Sequence, residues 1–197
     1  MFPRARAFIL DDQSQRNAAN LIGVSTVNAS IMALESPKAP SDSFQRERQP
    51  SVSDLPQETL EFAAKVFNLA RNGEDELLGA YVDAGLPPNL TNDKGNTLLM
   101  LAAYSGHAST VRLLHSKGAD ADSLNNRGQS PLAGAIFKSH EEVVRILVEL
   151  GADPRVGTPS AIETAKVFRM LEWLDMLGAT EEEKNAPTPG VFGLGPG

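Results

Sequence analysis

Histidine is the only side-chain type in this 197-residue chain that titrates near neutral pH, and it occurs three times. His107 and His140 stand 33 residues apart, the first after a glycine and the second after a serine, while His115 lies near Lys117. A metal centre needs converging ligands, such as two histidines one helical turn apart, and none of the three has a companion at that spacing. Cysteine is absent, which removes thiolate ligands and disulfides. Acid–base catalysis would need two groups meeting in one pocket. The acidic candidates have local explanations instead. Glu141 and Glu142 open a predicted helix, where negative charge favours the helix dipole, and Asp120 and Asp153 each follow a Gly-Ala pair in a predicted turn. There is no Gly-x-Ser-x-Gly, no Gly-rich phosphate loop ending in Lys-Ser/Thr, and no Gly-x-Gly-x-x-Gly ahead of a helix. The expectation is a protein with no metal, no cofactor and no catalytic residues; a minor enzyme activity would require a ligand pocket with convergent polar groups.

The elements that carry these residues repeat. Gly73 recurs as Gly106, Gly85 as Gly118 and Gly151, and Gly95 as Gly128, all with a period of 33. Such a period marks stacked units, each unable to bury its apolar face without a neighbour. His107 and His140 fall in the same turn of successive units, so the architecture accounts for both. Ahead of them, Leu60, Phe62, Ala63, Val66, Phe67, Leu69 and Ala70 follow helical spacing. Ser53-Asp54-Leu55-Pro56 reads as that helix's start, a capping side chain before a proline in the first turn. A second helix is expected over 74–84, with Leu77, Leu78, Tyr81 and Val82 inward and Gly85 ending it.

The words around the glycines are specific. Gly95-Asn-Thr-Leu-Leu-Met-Leu-Ala-Ala-Tyr-Ser-Gly-His107 runs on into Ala-Ser-Thr-Val-Arg-Leu-Leu-His-Ser-Lys-Gly-Ala-Asp120. Gly128-Gln-Ser-Pro-Leu-Ala-Gly-Ala-Ile-Phe-Lys-Ser-His140 runs on into Glu-Glu-Val-Val-Arg-Ile-Leu-Val-Glu-Leu-Gly-Ala-Asp153. Both resemble the ankyrin repeat, a β-turn finger followed by two antiparallel helices. The family's Thr-Pro-Leu-His helix opening is degraded, to Thr97-Leu98-Leu99-Met100 and Ser130-Pro131-Leu132-Ala133. The resemblance implies an all-α ankyrin repeat solenoid over residues 53–180, with two full repeats between two atypical capping repeats. The last unit is short, with 27 residues from Gly151 to Gly178. Five of the six missing residues are assigned to the finger at Pro154–Gly157, and helices are expected at about 159–166 and 168–177. Met170, Leu171, Trp173, Leu174 and Leu177 would point mainly inward, and Glu181-Glu182-Glu183-Lys184 would begin a flexible tail over 181–197.

Ankyrin arrays bind proteins through finger tips and the concave face of the first helices, and that surface carries over position by position. The finger tips would be Asp93, Lys94 and Asn96, then Asn126, Arg127 and Gln129. The helix positions would be Arg71 and Asn72, then Tyr104 and Ser105, then Phe137 and Lys138, with Lys166 the nearest candidate in the shortened unit. Tyr104 and Phe137 stand out, because they would be adjacent on one face and aromatics bury much area at little entropic cost. Arg71, Lys94, Arg127 and Lys138 would surround them with positive charge. The implied function is non-catalytic protein binding, as an adaptor or stabilising subunit. The alternative is a chaperone-like protein that shields a basic client with its acidic surface.

Charge supports a protein partner over nucleic acid. The chain carries 18 basic and 25 acidic side chains, and phosphate-backbone binding rests on clustered Lys and Arg. No apolar run approaches the ~20 residues that span a bilayer, so no membrane partner is expected; a cytoplasmic or nuclear monomer is. Residues 1–52 are rich in Ser, Gln, Asn and Pro and read as a disordered extension. Within it Arg4 and Arg6 precede Ala7-Phe8-Ile9-Leu10, and Asp11-Asp12 follow at once, too short an apolar stretch for a secretory core. Arg46-Glu47-Arg48-Gln49-Pro50-Ser51 resembles an Arg-directed kinase substrate and Glu35-Ser36-Pro37 a proline-directed one, marking Ser51 and Ser36 as phosphorylation candidates in what otherwise reads as a solvated linker.

Overall fold

The computed structural model describes residues 56–187. The extension, Ser36, Ser51 and the expected capping residues 53–55 lie outside the described residues. Nine helices occur within them: α1 (Gln57–Asn72), α2 (Asp75–Asp83), α3 (Leu98–Ser105), α4 (Ala108–Ser116), α5 (Pro131–Phe137), α6 (Glu141–Glu149), α7 (Ala161–Val167), α8 (Glu172–Met176) and α9 (Glu181–Asn185). They stack as hairpin pairs. α1, α3, α5 and α7 pack side by side in an inner layer, and α2, α4 and α6 form an outer one. Between the layers, Val66, Ala70, Leu78, Leu98, Leu99, Ala102, Ala103, Leu114, Leu132, Ala135, Ile136 and Leu147 are buried. Each large apolar side chain so placed contributes roughly 1.5–3 kcal/mol. The alanines keep the inner helices thin, which lets consecutive units approach.

The helix starts follow local chemistry. Thr97, Ser130 and Ser160 occupy the same position in successive units, and each side chain accepts a hydrogen bond from the backbone N–H three residues on. α1 differs: Pro56 itself stands at the N-cap, and its carbonyl accepts from Thr59 and Leu60. The fingers are Asx turns. Asn92 Oδ1 accepts from the N–H groups of Lys94 and Asn96, and Asn125 Oδ1 from those of Arg127 and Gln129. The second finger then hangs on the first, since Asn126 N donates to Lys94 O and Asn126 Nδ2 to Asp93 O.

The two inter-helix histidines are structural. His107 Nε2 lies 2.7 Å from Arg71 O and His140 Nε2 3.2 Å from Tyr104 O. A carbonyl can only accept, so each ring carries its proton on Nε2. Each therefore ties its turn to the last turn of the preceding unit's inner helix. The ring also lies where a side chain on the preceding glycine would go: a Cβ at Gly106 would stand 2.9 Å from the His140 ring, at φ +87°.

The last unit departs from expectation. α7 runs 161–167 and α8 only 172–176, and Leu171 is 61% exposed instead of inward. Ser130 and Ser160 are 30 residues apart, so only three of the six missing residues are lost ahead of α7, not five. Nor is 181 onward a frayed end, because Thr180 and Glu183 form a capping box that starts α9. Arg155 forks onto both oxygens of Glu183 and reaches Gly178 O. That pairing holds the Glu183 carboxyl below its usual range and the Arg155 guanidinium above its own. Lys184 bridges Asp175 and Glu181, which hold its amine above the usual lysine range.

Candidate functional site

The inner helices and the fingers enclose a groove of about 640 Å³. Its centre is a file of three rings. Tyr104, at the end of α3, and Phe137, at the end of α5, are stacked with centroids 6.3 Å apart and planes 14° from parallel. Phe168, just past α7, meets Phe137 edge-on at 5.4 Å. All three remain open to solvent, at 42%, 50% and 46%. Gly134 of α5 leaves space for the Tyr104 ring, whose Cδ2 would stand 3.4 Å from a Cβ there. Met100, Leu101, Ala133 and Val167 form further parts of the lining.

Charge is sorted around this groove. Residues 56–187 carry nineteen acidic and twelve basic side chains, yet no Asp or Glu lines the groove, whereas Arg71, Lys94 and Arg127 do. Five cations elsewhere are paired with carboxylates: Arg112 with Glu149, Lys117 with Asp83, Arg145 with Glu141, Arg155 with Glu183 and Lys184 with Asp175. Among the described residues, none of the three groove cations has a carboxylate within ion-pair range. Arg71 donates to Asn68 Oδ1, and Lys138 holds its ammonium 5.0 Å above the Tyr104 ring.

Of the residues expected at a partner surface, Arg71, Lys94, Asn96, Tyr104, Arg127, Gln129 and Phe137 line this one groove. Five do not. Asn72 faces Glu74, Asp93 presents its backbone carbonyl to the next finger, and Ser105 is half-buried outside the lining. Asn126 is spent on stacking the fingers, and Lys138 stands over Tyr104. Lys166 is misplaced by one residue. It occupies the register of buried Ile136, is 9% exposed, and donates to Glu183 O at 2.6 Å and Ala186 O at 2.5 Å. The true counterpart of Tyr104 and Phe137 is Val167, and Phe168 follows the register of Lys138. Phe168 was missed for that reason; the Ser160 N-cap, set against Ser130, is the signal that finds it.

Away from the groove, a second ladder runs along the finger bases. Asn89 Oδ1 accepts from Asp120 N, and one unit later Asp122 Oδ1 accepts from Asp153 N. Burial pushes the Asp122 carboxyl above its usual value; the Asp153 hydrogen bond opposes this, and the charges of Asp120 and Asp153 add to it. Among the described residues no cluster of three or more metal-ligating side chains occurs, and no helix is long and apolar enough to cross a membrane.

Stacked hairpins joined by Asx-turn fingers, with exposed rings in file along the inner layer, define an α-helical repeat solenoid with a groove on one face. The repeats of this chain are ankyrin repeats. The family model for ankyrin repeats (3 copies) matches residues 66–158. A protein of Pseudomonas aeruginosa named as an ankyrin repeat protein is 55% identical over 60 residues, which cover 30% of this chain and 35% of that relative. Ankyrin repeats are in general protein–protein interaction modules.

Proposed function

We propose that this protein is a non-catalytic binding module, an adaptor or stabilising subunit, whose groove receives a partner segment that combines bulky apolar and acidic side chains. The observation that carries this reading is the sorting of charge. On a net acidic domain, the exposed rings Tyr104, Phe137 and Phe168 share a groove with three cations, and among the described residues no carboxylate lines it or pairs with them. Rings of this kind serve as anchors, and the cations would select carboxylates beside them. The groove is already formed in the free chain, so binding needs little backbone change. The outward carboxylates support the second reading, attraction of a basic client to the acidic outer surface.

A peptide library selected on the full chain separates the two. The expected winners carry Phe, Leu or Ile next to Asp or Glu, and Tyr104→Ala with Phe137→Ala abolishes their enrichment while leaving the thermal melt close to wild type. Selection of Lys- and Arg-rich peptides that the double variant retains would replace the groove with the acidic surface.

A further inference from the structure

The chain itself contains a segment with the chemistry this groove selects. Residues 1–55 include Phe8-Ile9-Leu10-Asp11-Asp12, three bulky apolar residues followed directly by two carboxylates. We propose that Phe8–Asp12 docks in the groove of its own chain and acts as a built-in competitor for the partner segment. The proposal rests on the groove reading above and names one of its occupants.

Three observations converge on this segment. The first is spacing. In an extended chain, side chains two residues apart share a face at roughly 6.6–6.8 Å. Phe8 and Leu10 thus match the 6.3 Å separation of the Tyr104 and Phe137 rings. The second is order of chemistry. Asp12 continues that same face, so two apolar side chains and then a carboxylate are presented together to rings and cations. Ile31-Met32-Ala33-Leu34-Glu35 also has apolar residues beside an acid. Its alternation, however, puts Met32 and Leu34 opposite Glu35 and leaves Ile31 and the small Ala33 on the acid's face, so the charge has one bulky neighbour there instead of two. The third is reach. Forty-three residues, 13–55, join the segment to Pro56. Fully extended they span up to about 140 Å, so no groove position is out of range. Tethering makes the docking intramolecular, and even weak intrinsic affinity then competes with a partner in solution.

The absence of cysteine makes a clean test available. A nitroxide on the full-length Ser14→Cys chain would report proximity through amide signal loss in an isotope-labelled sample. Amides around Tyr104, Phe137 and Arg127 are expected to lose most of their intensity, independently of protein concentration, while those of α4 and α6 keep theirs. Phe8→Ala with Leu10→Ala should restore the lost signals and strengthen the binding of an added acidic–apolar library peptide several-fold. Residues 8 and 10 lie outside the ankyrin match at 66–158, and a thermal melt of the variant run alongside separates lost docking from lost folding. Unchanged groove amides with the label at 14, or losses that instead follow a nitroxide on the Ser41→Cys chain, would overturn the assignment. So would signal loss only when labelled and nitroxide-bearing chains are mixed, which would mean exchange between copies. Library peptides that bind the groove of a chain showing no such losses would leave the groove reading intact, whereas failure of both would remove it.

Discussion

At the scale of single residues, the repeat is enforced by close contacts that leave little choice of side chain. Gly73 lies under His107 and Gly106 under His140, and both glycines have positive φ. The next unit carries Met170 where the others carry histidine, and the matching turn residue there is Ser139, at φ 59°. Glycine is thus demanded where a histidine ring covers the turn and replaced where none does. Gly106→Ala is expected to cost about 2 kcal/mol, combining left-handed strain with displacement of the ring. Ser139→Gly relieves the same strain with no ring to restore, and should be neutral or stabilising by up to about 1 kcal/mol. Urea unfolding of the two variants side by side checks the contrast; equal losses at both positions would refute it. Asp122 offers a test with a pH signature. Because its folded-state carboxyl is raised above 3.8, the folded chain binds more protons between 3.8 and that higher value. Its ionisation therefore weakens folding as pH rises through this window, in full above it and not at all below it. Asp122→Asn keeps the acceptor for Asp153 N, removes repulsion with Asp120 and Asp153, and copies Asn89 one unit earlier. It should stabilise the chain by roughly 0.5–1 kcal/mol at neutral pH, with the electrostatic part of the gain shrinking as the pH falls through that window towards 3.8.

At the scale of elements, α9 shows how a short helix is held. A five-residue helix is far below the length that persists in water on its own. Its order comes from Arg155 and Lys166, which lie in earlier elements and reach its carboxylate and its last carbonyls. Glu183 has a lowered carboxyl, so the docking is fully present above its ordinary value of 4.5 and is lost as pH falls through the lowered one. Hydrogen exchange of amides 181–186 should accelerate on acidification while α3 and α5 stay protected, and Glu183→Gln should bring the fast exchange to neutral pH. If α9 exchanged only together with the whole domain, the local latch would be wrong. The start of this helix was readable in the Thr180-Glu181-Glu182-Glu183 spacing of its capping box, but its docking was not, because its partners are 17 to 28 residues away. The second and third units were legible because each element has a copy one period away. The glycines set the register, and Tyr104 and Phe137 followed from it. Asn126, by contrast, looked like a finger tip free for a partner, because its hydrogen bonds to the neighbouring finger exist only once the units are stacked. Phe168 was hidden by a shift of three residues in the shortened finger.

At the scale of the whole molecule, two electrostatic ranges oppose each other. The described residues have a net charge of −7, with nineteen acidic against twelve basic side chains, while the charged side chains among them that line the groove are all positive. An approaching acidic–apolar segment is repelled by the domain at long range and attracted by Arg71, Lys94 and Arg127 at contact. Salt acts first on the long-range part, since the Debye length is about 30 Å at 0.01 M and about 10 Å at 0.1 M. Raising salt across that interval should therefore speed association of such a peptide, by a few-fold. Dissociation should also quicken as the contact cations are screened, so the equilibrium constant would change little. A basic client drawn by the outer carboxylates would show the reverse, an association rate that falls steeply with salt. Arg127→Gln sharpens the distinction: for a groove ligand it should raise the dissociation rate and leave the salt slope of association nearly unchanged, because one contact charge is lost from a domain whose overall field is set by many. Stopped-flow association of the library-selected peptide, measured at both salt concentrations with wild type and Arg127→Gln, reads all of these quantities. Steeply decreasing association with added salt would show that the net charge of the domain, and not its groove, attracts the ligand.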